Sequence, residues 1–237
     1  MKKILCACLA LPIAVGCGGG SGTVSARHTG IYEGAYTDGQ GRLVTIETEQ
    51  VHRGTALTGV ARIEVGGETY HVTFHGDARG DTYSWSGELP GGKGRIAVRS
   101  DLAGSAHFTA QGDLSSGSGN LVRTADATTD NLAGTYTVTW NAQGFSDNFT
   151  IEITNVNGVD VVPNLYVKLP DNGGFVASGT VVGNTVALTY FSGAGTNGFL
   201  AKFKPTAIGQ TGSASFELIA TGGSTFDGTW TITPGGQ

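Results

Sequence analysis

The 237-residue sequence holds three cysteines and six prolines, and nowhere gathers a basic cluster. Cys6 and Cys8 lie in an apolar N-terminal stretch, which leaves Cys17 alone beyond it. No disulfide is expected in the body of the chain, so its stability has to come from burial and hydrogen bonding. The 14 Lys and Arg are outnumbered by 19 Asp and Glu, and two of those bases are Lys2 and Lys3. A nucleic-acid partner is therefore not expected. No apolar run approaches the ~20 residues of a membrane-spanning helix, since the longest, Ile4 to Val15, is about a dozen. Helical periodicity is missing as well. A Gly-x-Ser-x-Gly elbow is absent, no Asp/Asn run forms a calcium loop, and the glycine-rich segments precede strands rather than phosphate-cradling helices. No catalytic residue, cofactor or metal is expected, and the chain reads as a non-enzyme.

What is abundant is glycine, 40 residues of it, interleaved with Thr, Val and aromatics. Glycine without proline points to many tight turns between strands. The strands are visible as period-two alternation. Tyr136, Val138 and Trp140 share one face and Thr135, Thr137 and Thr139 the other. Phe149, Ile151 and Ile153 alternate with Thr150, Glu152 and Thr154, and Trp230 and Ile232 with Thr229, Thr231 and Thr233. Breaks such as Asn157-Gly158 and Gly183-Asn184 are hairpin turns, too short for crossover helices.

The chain also repeats itself. Gly30-Ile31-Tyr32 returns as Gly134-Thr135-Tyr136, Thr45-Ile46-Glu47 as Thr150-Ile151-Glu152, and Gly104-Ser105-Ala106 as Gly212-Ser213-Ala214, in the same order. A duplicated unit of about eight strands follows. The expected fold is all-β: two tandem antiparallel up-and-down barrels, with two-sheet sandwiches as the alternative. Closing the barrel removes both sheet edges.

The N-terminus carries a two-lysine start, the apolar run, then Ile13-Ala14-Val15-Gly16-Cys17 and a Gly18-Gly19-Gly20-Ser21-Gly22 spacer. This order resembles the lipobox of bacterial lipoproteins. The resemblance implies a signal peptide over 1–16, a lipid such as palmitate on Cys17, and a flexible tether over 17–28. It also implies a place in the cell envelope, anchored to the outer membrane of a Gram-negative bacterium, periplasmic or surface-exposed. An ordinary secretory signal that leaves Cys17 a free thiol is the other reading. The barrels are then expected over 29–124 and 132–237, joined by a linker at 125–131, where large apolar residues are lacking.

An aromatic two residues after glycine in a first strand, followed by a meander, resembles the lipocalin and avidin group of ligand-binding barrels. That group carries Trp where both halves here carry Tyr, and lipocalins cover the aromatic with an Arg from the last strand. Arg123 fits that part in the first half; Ile232 or Thr233 stands there in the second. A lipobox followed by small barrels is also similar to the transferrin-binding and factor-H-binding surface lipoproteins. The first half is the richer in inward aromatics, and Tyr32, Tyr36, Tyr83, Trp85 and Arg123 are its candidate ligand-binding residues. The second half reads as filled by its own side chains.

Other candidates have plainer readings. His71 and His75 share the polar face of one strand but stand about 13 Å apart, too far for one metal, and read as solvated. Arg79-Gly80-Asp81 spells an adhesion tripeptide but is also ordinary turn chemistry. Glu47 and Glu49 read as part of a solvated face. The expected function is a membrane-anchored binding or interaction module with a protein partner. The alternative is a carrier of a small apolar ligand, and an envelope enzyme is the weakest reading.

Overall fold

The computed structural model describes residues 22–168, 174–194, 197–219 and 223–235; Cys17 and the leader before it lie outside them. The first half forms β1 (Val24–Thr37), β2 (Leu43–Arg53), β3 (Ala56–Val65), β4 (Glu68–Arg79), β5 (Thr82–Leu89), β6 (Gly94–Asp101), β7 (Ser105–Gly112) and β8 (Gly117–Ala125). The second forms β9 (Gly134–Ala142), β10 (Phe145–Val156), β11 (Val159–Lys168), β12 (Gly174–Val182), β13 (Thr185–Ala194), β14 (Asn197–Ala207), β15 (Thr211–Leu218) and β16 (Ser224–Pro234). Each set is an antiparallel meander that closes on itself, β1 against β8 and β9 against β16. Closure leaves no row of unpaired backbone N–H and C=O groups, which decides for barrels over sandwiches. The repeated motifs fall on equivalent strands: β1 and β9, β2 and β10, and β7 and β15.

Alternation turns Tyr32, Tyr36, Tyr70, Phe74, Tyr83 and Trp85 into barrel 1, where all six are buried. Phe74 stacks on Trp85 at 4.3 Å and Tyr36 on Phe108 at 4.3 Å. Each buried ring of this kind contributes roughly 2–3 kcal/mol. Space for them comes from glycine: a Cβ on Gly59 would run into the Phe74 ring and the Glu49 carbonyl.

Barrel 1 is covered at both ends. At the end where the chain enters, the β1–β2 register slips between Ser25 and Gly30, so residues 26–29 bulge and His28 is fully buried. The His28 Nε2 lies 2.9 Å from the Gly80 carbonyl in the β4–β5 turn, and beside it Arg27 pairs with Asp81. At the opposite end Leu114, between β7 and β8, is 1 % exposed. Around it the Tyr36 hydroxyl donates to the Ser115 carbonyl at 3.1 Å, and Arg42 donates to the Asp113 carbonyl at 2.7 Å.

The barrels lie side by side, with the outer walls of β2, β3 and β4 against β11 and β12. Val51, Val60, Val159, Val161 and Val182 form a separate apolar cluster between them. Arg53, at the entry end of barrel 1, reaches the Asn157 carbonyl in the β10–β11 turn. Further along, Lys202 of β14 pairs with Glu68, which starts β4 at the opposite end. The two barrels therefore run in the same direction. The Trp140 end of barrel 2 points away from the end at which the tether emerges.

Candidate functional site

The half of barrel 1 behind His28 is polar. Eight buried side-chain atoms there lack a well-formed hydrogen bond: His28 Nδ1, both ring nitrogens of His52, Gln50 Oε1, Thr48 Oγ1, the Tyr32 and Tyr83 hydroxyls, and Trp85 Nε1, although Ser100 stands by Tyr83, Gln50 by Tyr32 and the Gly54 backbone by His52. Among the described residues, every such atom belongs to barrel 1. An unmet buried polar group costs about 1–3 kcal/mol, so a cluster of this size marks a place built around polar contacts. The rings of His28 and His52 are 5.2 Å apart, and Tyr83 lies 5.5 Å from His28 and from Tyr32. Burial pushes the Tyr83 hydroxyl well above the usual range and holds His52 below its ordinary value.

Barrel 2 differs. Its near end is closed by Leu132, whose carbonyl accepts the Tyr136 hydroxyl at 2.8 Å. At the far end the inward aromatics Trp140, Phe149, Tyr190, Phe199 and Phe226 are only half-buried, and Phe145 on the rim is 72 % exposed. They stack as a continuous surface: Phe149 on Tyr190 at 4.7 Å, Trp140 on Phe199 at 5.4 Å, and Phe216 on Phe226 at 5.4 Å. Rings that stack on one another while keeping a face toward solvent can receive another flat or apolar group.

A third feature corrects the sequence reading. His71, Glu47 and Glu49 do not lie on a freely solvated face, because barrel 2 covers much of the wall that carries them. Glu49 is 3 % exposed and accepts the Gly183 N–H at 2.6 Å and the Thr128 N–H at 2.7 Å. Arg62, 3 % exposed, donates to Glu47 at 2.6 Å, to the Thr185 carbonyl at 3.1 Å and to the Thr180 hydroxyl at 3.2 Å. That hydroxyl also meets His71 Nδ1 at 3.0 Å. Burial, with the Arg62 charge beside it, pushes His71 down to about 3, so the ring is neutral at ordinary pH. Burial raises Glu47 and Glu49 above the usual carboxylate range. A groove of about 630 Å³ opens along this wall, lined by Glu33, Glu47, Glu64, Arg62 and Asn120 among others.

The sequence candidates divide between the ends of barrel 1. Tyr32, Tyr83 and Trp85 line its polar half, whereas Tyr36 stacks on Phe108 near the other end. Arg123 stands opposite Tyr32 in the β1–β8 register and reaches Asp126. It crosses Gly30 so closely that a Cβ there would collide with its guanidinium. His28, Gln50 and His52 went unnoticed as candidates. The even-numbered alternation of β2 through Ile46, Thr48, Gln50 and His52 was the available signal. Arg79-Gly80-Asp81 is a turn tied down by His28 and Arg27. Among the described residues, no three His, Cys, Asp or Glu side chains gather at one point. No family model, curated protein or solved structure matches this chain.

Proposed function

We propose that the protein is an envelope lipoprotein, anchored through Cys17, whose second barrel binds a small apolar ligand at its aromatic far end. The observation that carries this reading is the half-exposed stack of Trp140, Phe149, Tyr190, Phe199 and Phe226. It lies at the end of the molecule opposite the tether. A lipid on Cys17 holds the entry end of barrel 1 toward the membrane and presents the aromatic end outward. The meander order is that of the lipocalin and avidin group, whose members take ligands at an open barrel end, and Arg123 across Gly30 adds to the likeness. Here the half-exposed ring stack belongs to barrel 2 and not to the aromatic-rich barrel 1.

Two separate experiments test the two halves of the proposal. Cys17→Ser is expected to release the folded protein from membranes, and retention in the membrane fraction would remove the anchor. For the ligand, a fluorescent naphthalene probe is titrated into the purified protein. Binding is expected to fall at least tenfold in Trp140→Ala and Phe199→Ala and to persist in Trp85→Phe. Equal binding by all of these proteins would rule out the barrel 2 site.

A further inference from the structure

The polar half of barrel 1 plays no part in that reading, yet it is the most heavily unpartnered region of the described molecule. We propose that it is a binding site for one transition-metal ion of the Zn²⁺ or Cu²⁺ class, held by His28 Nδ1, a ring nitrogen of His52 and the Tyr83 oxygen.

Geometry carries the assignment. Two imidazoles on one tetrahedral metal, with bonds of about 2.0 Å, have ring centroids about 5 Å apart. Those of His28 and His52 are separated by 5.2 Å. The Nε2 of His28 faces the Gly80 carbonyl at 2.9 Å and so carries the proton. That leaves the Nδ1 lone pair pointing to no protein partner. A backbone carbonyl behind one ring nitrogen is the usual outer support of a metal-bound histidine, because it settles tautomer and ring orientation together. The Gly54 backbone stands beside the His52 ring, as the Gly80 carbonyl stands beside His28.

Charge also has to balance. On binding, the Tyr83 O–H bond breaks, its proton leaves to solvent, and the phenolate oxygen bonds to the metal. No electron is transferred. The neighbouring Asp101 carboxylate, close enough to act on Tyr83, offsets part of the remaining positive charge. Gln50 Oε1 or a water takes the fourth position. Imidazole and phenolate donors favour Zn²⁺ and Cu²⁺ over Ca²⁺ or Mg²⁺, which prefer carboxylates and carbonyls.

The test uses the full chain carrying Cys6→Ser, Cys8→Ser and Cys17→Ser, so that no thiol competes for the ion. Cu²⁺ titration is expected to reach one ion per chain and to develop a visible phenolate-to-copper absorption band. His28→Asn and His52→Gln are each expected to weaken binding at least tenfold, while the exposed His75→Ala leaves it unchanged. Tyr83→Phe is expected to bind but lose the band. Near-ultraviolet circular dichroism checks that each variant is folded, and His52→Gln keeps a polar side chain of similar reach in case His28→Asn does not fold. Absence of binding, or binding indifferent to His28 and His52, would overturn the proposal. So would a crystal structure grown with Zn²⁺ in which only waters bridge these side chains.

Discussion

Barrel 1 and barrel 2 share strand number, order and repeated motifs, but they enclose different interiors. Barrel 1 is covered at both ends, by His28 and by Leu114, and half its lining is polar. Barrel 2 has an apolar lining and half-exposed aromatics at one end. The divergence can be read position by position through the repeat. His28, two residues before Gly30, corresponds to Leu132, two residues before Gly134. Thr48, two residues after Ile46, corresponds to Ile153, two residues after Ile151. The same strand order and repeated motifs thus support a polar chamber in one copy and a dry core in the other. Few inward side chains decide which, because eight strands leave room for only a few layers of them.

The largest contrast is expected between a core ring and a rim ring. Phe74→Ala removes a fully buried ring of barrel 1 that is stacked on Trp85, and should cost about 3–5 kcal/mol in denaturant unfolding. Phe226→Ala, at the half-exposed end of barrel 2, should cost roughly 1 kcal/mol, since less of the ring leaves water on folding. Equal costs would mean that the far end of barrel 2 is as tightly closed as the core of barrel 1.

Exchanging polarity between equivalent sites comes next. Ile153→Thr buries a hydroxyl in the dry interior of barrel 2 and should destabilise by about 2 kcal/mol. Thr48→Val in barrel 1 should change stability by less than about 1 kcal/mol, because that hydroxyl has no protein partner to lose. Similar penalties at both sites would erase the distinction between the two interiors.

A pH effect is expected where the barrels meet. His71 in the folded protein sits at about 3, below its ordinary value, so the unfolded chain binds the proton first as pH falls. Stability from neutral His71 is complete above about pH 6.5 and is lost progressively on acidification, by about 2 kcal/mol at pH 5. Glu47 and Glu49 are raised and so act in the opposite sense, relieving part of the loss as pH falls through their raised folded values toward the ordinary carboxylate range. Unfolding midpoints at pH 7 and pH 5 should therefore differ in the native chain, and the difference should shrink in His71→Gln to the smaller part that His52 contributes. An unchanged pH dependence in that variant would show that His71 does not hold the junction. The smallest effect is expected at the exposed Arg27–Asp81 pair, where Asp81→Ala should leave the unfolding midpoint unmoved within error.

Much of the architecture was legible because alternation reports directly which face of a strand its own barrel buries. Tyr32, Tyr36, Tyr83 and Trp85 were identified as inward, and all four are buried. The same signal misled at His71 and Glu49. Both belong to the outward face of their strands, and outward means solvated only while nothing packs on that wall. Contact with Thr180, Thr189 and Gly183 comes from residues more than a hundred positions away, and no local period registers it. The bulge at 26–29 was equally hidden, since a register slip is a property of two paired strands and not of either one alone.

By itself the sequence determined the all-β class, the hairpin order, the duplicated plan and the set of inward residues, because each rests on period-two patterning or turn chemistry within a few residues. Only the tertiary structure decided that the meanders close, that the walls of β2–β4 are buried a second time, and that His28 meets His52 inside barrel 1. It also decided that the exposed aromatics belong to barrel 2. Those outcomes depend on register, closure and the docking of two surfaces, where the energy lies between residues far apart along the chain.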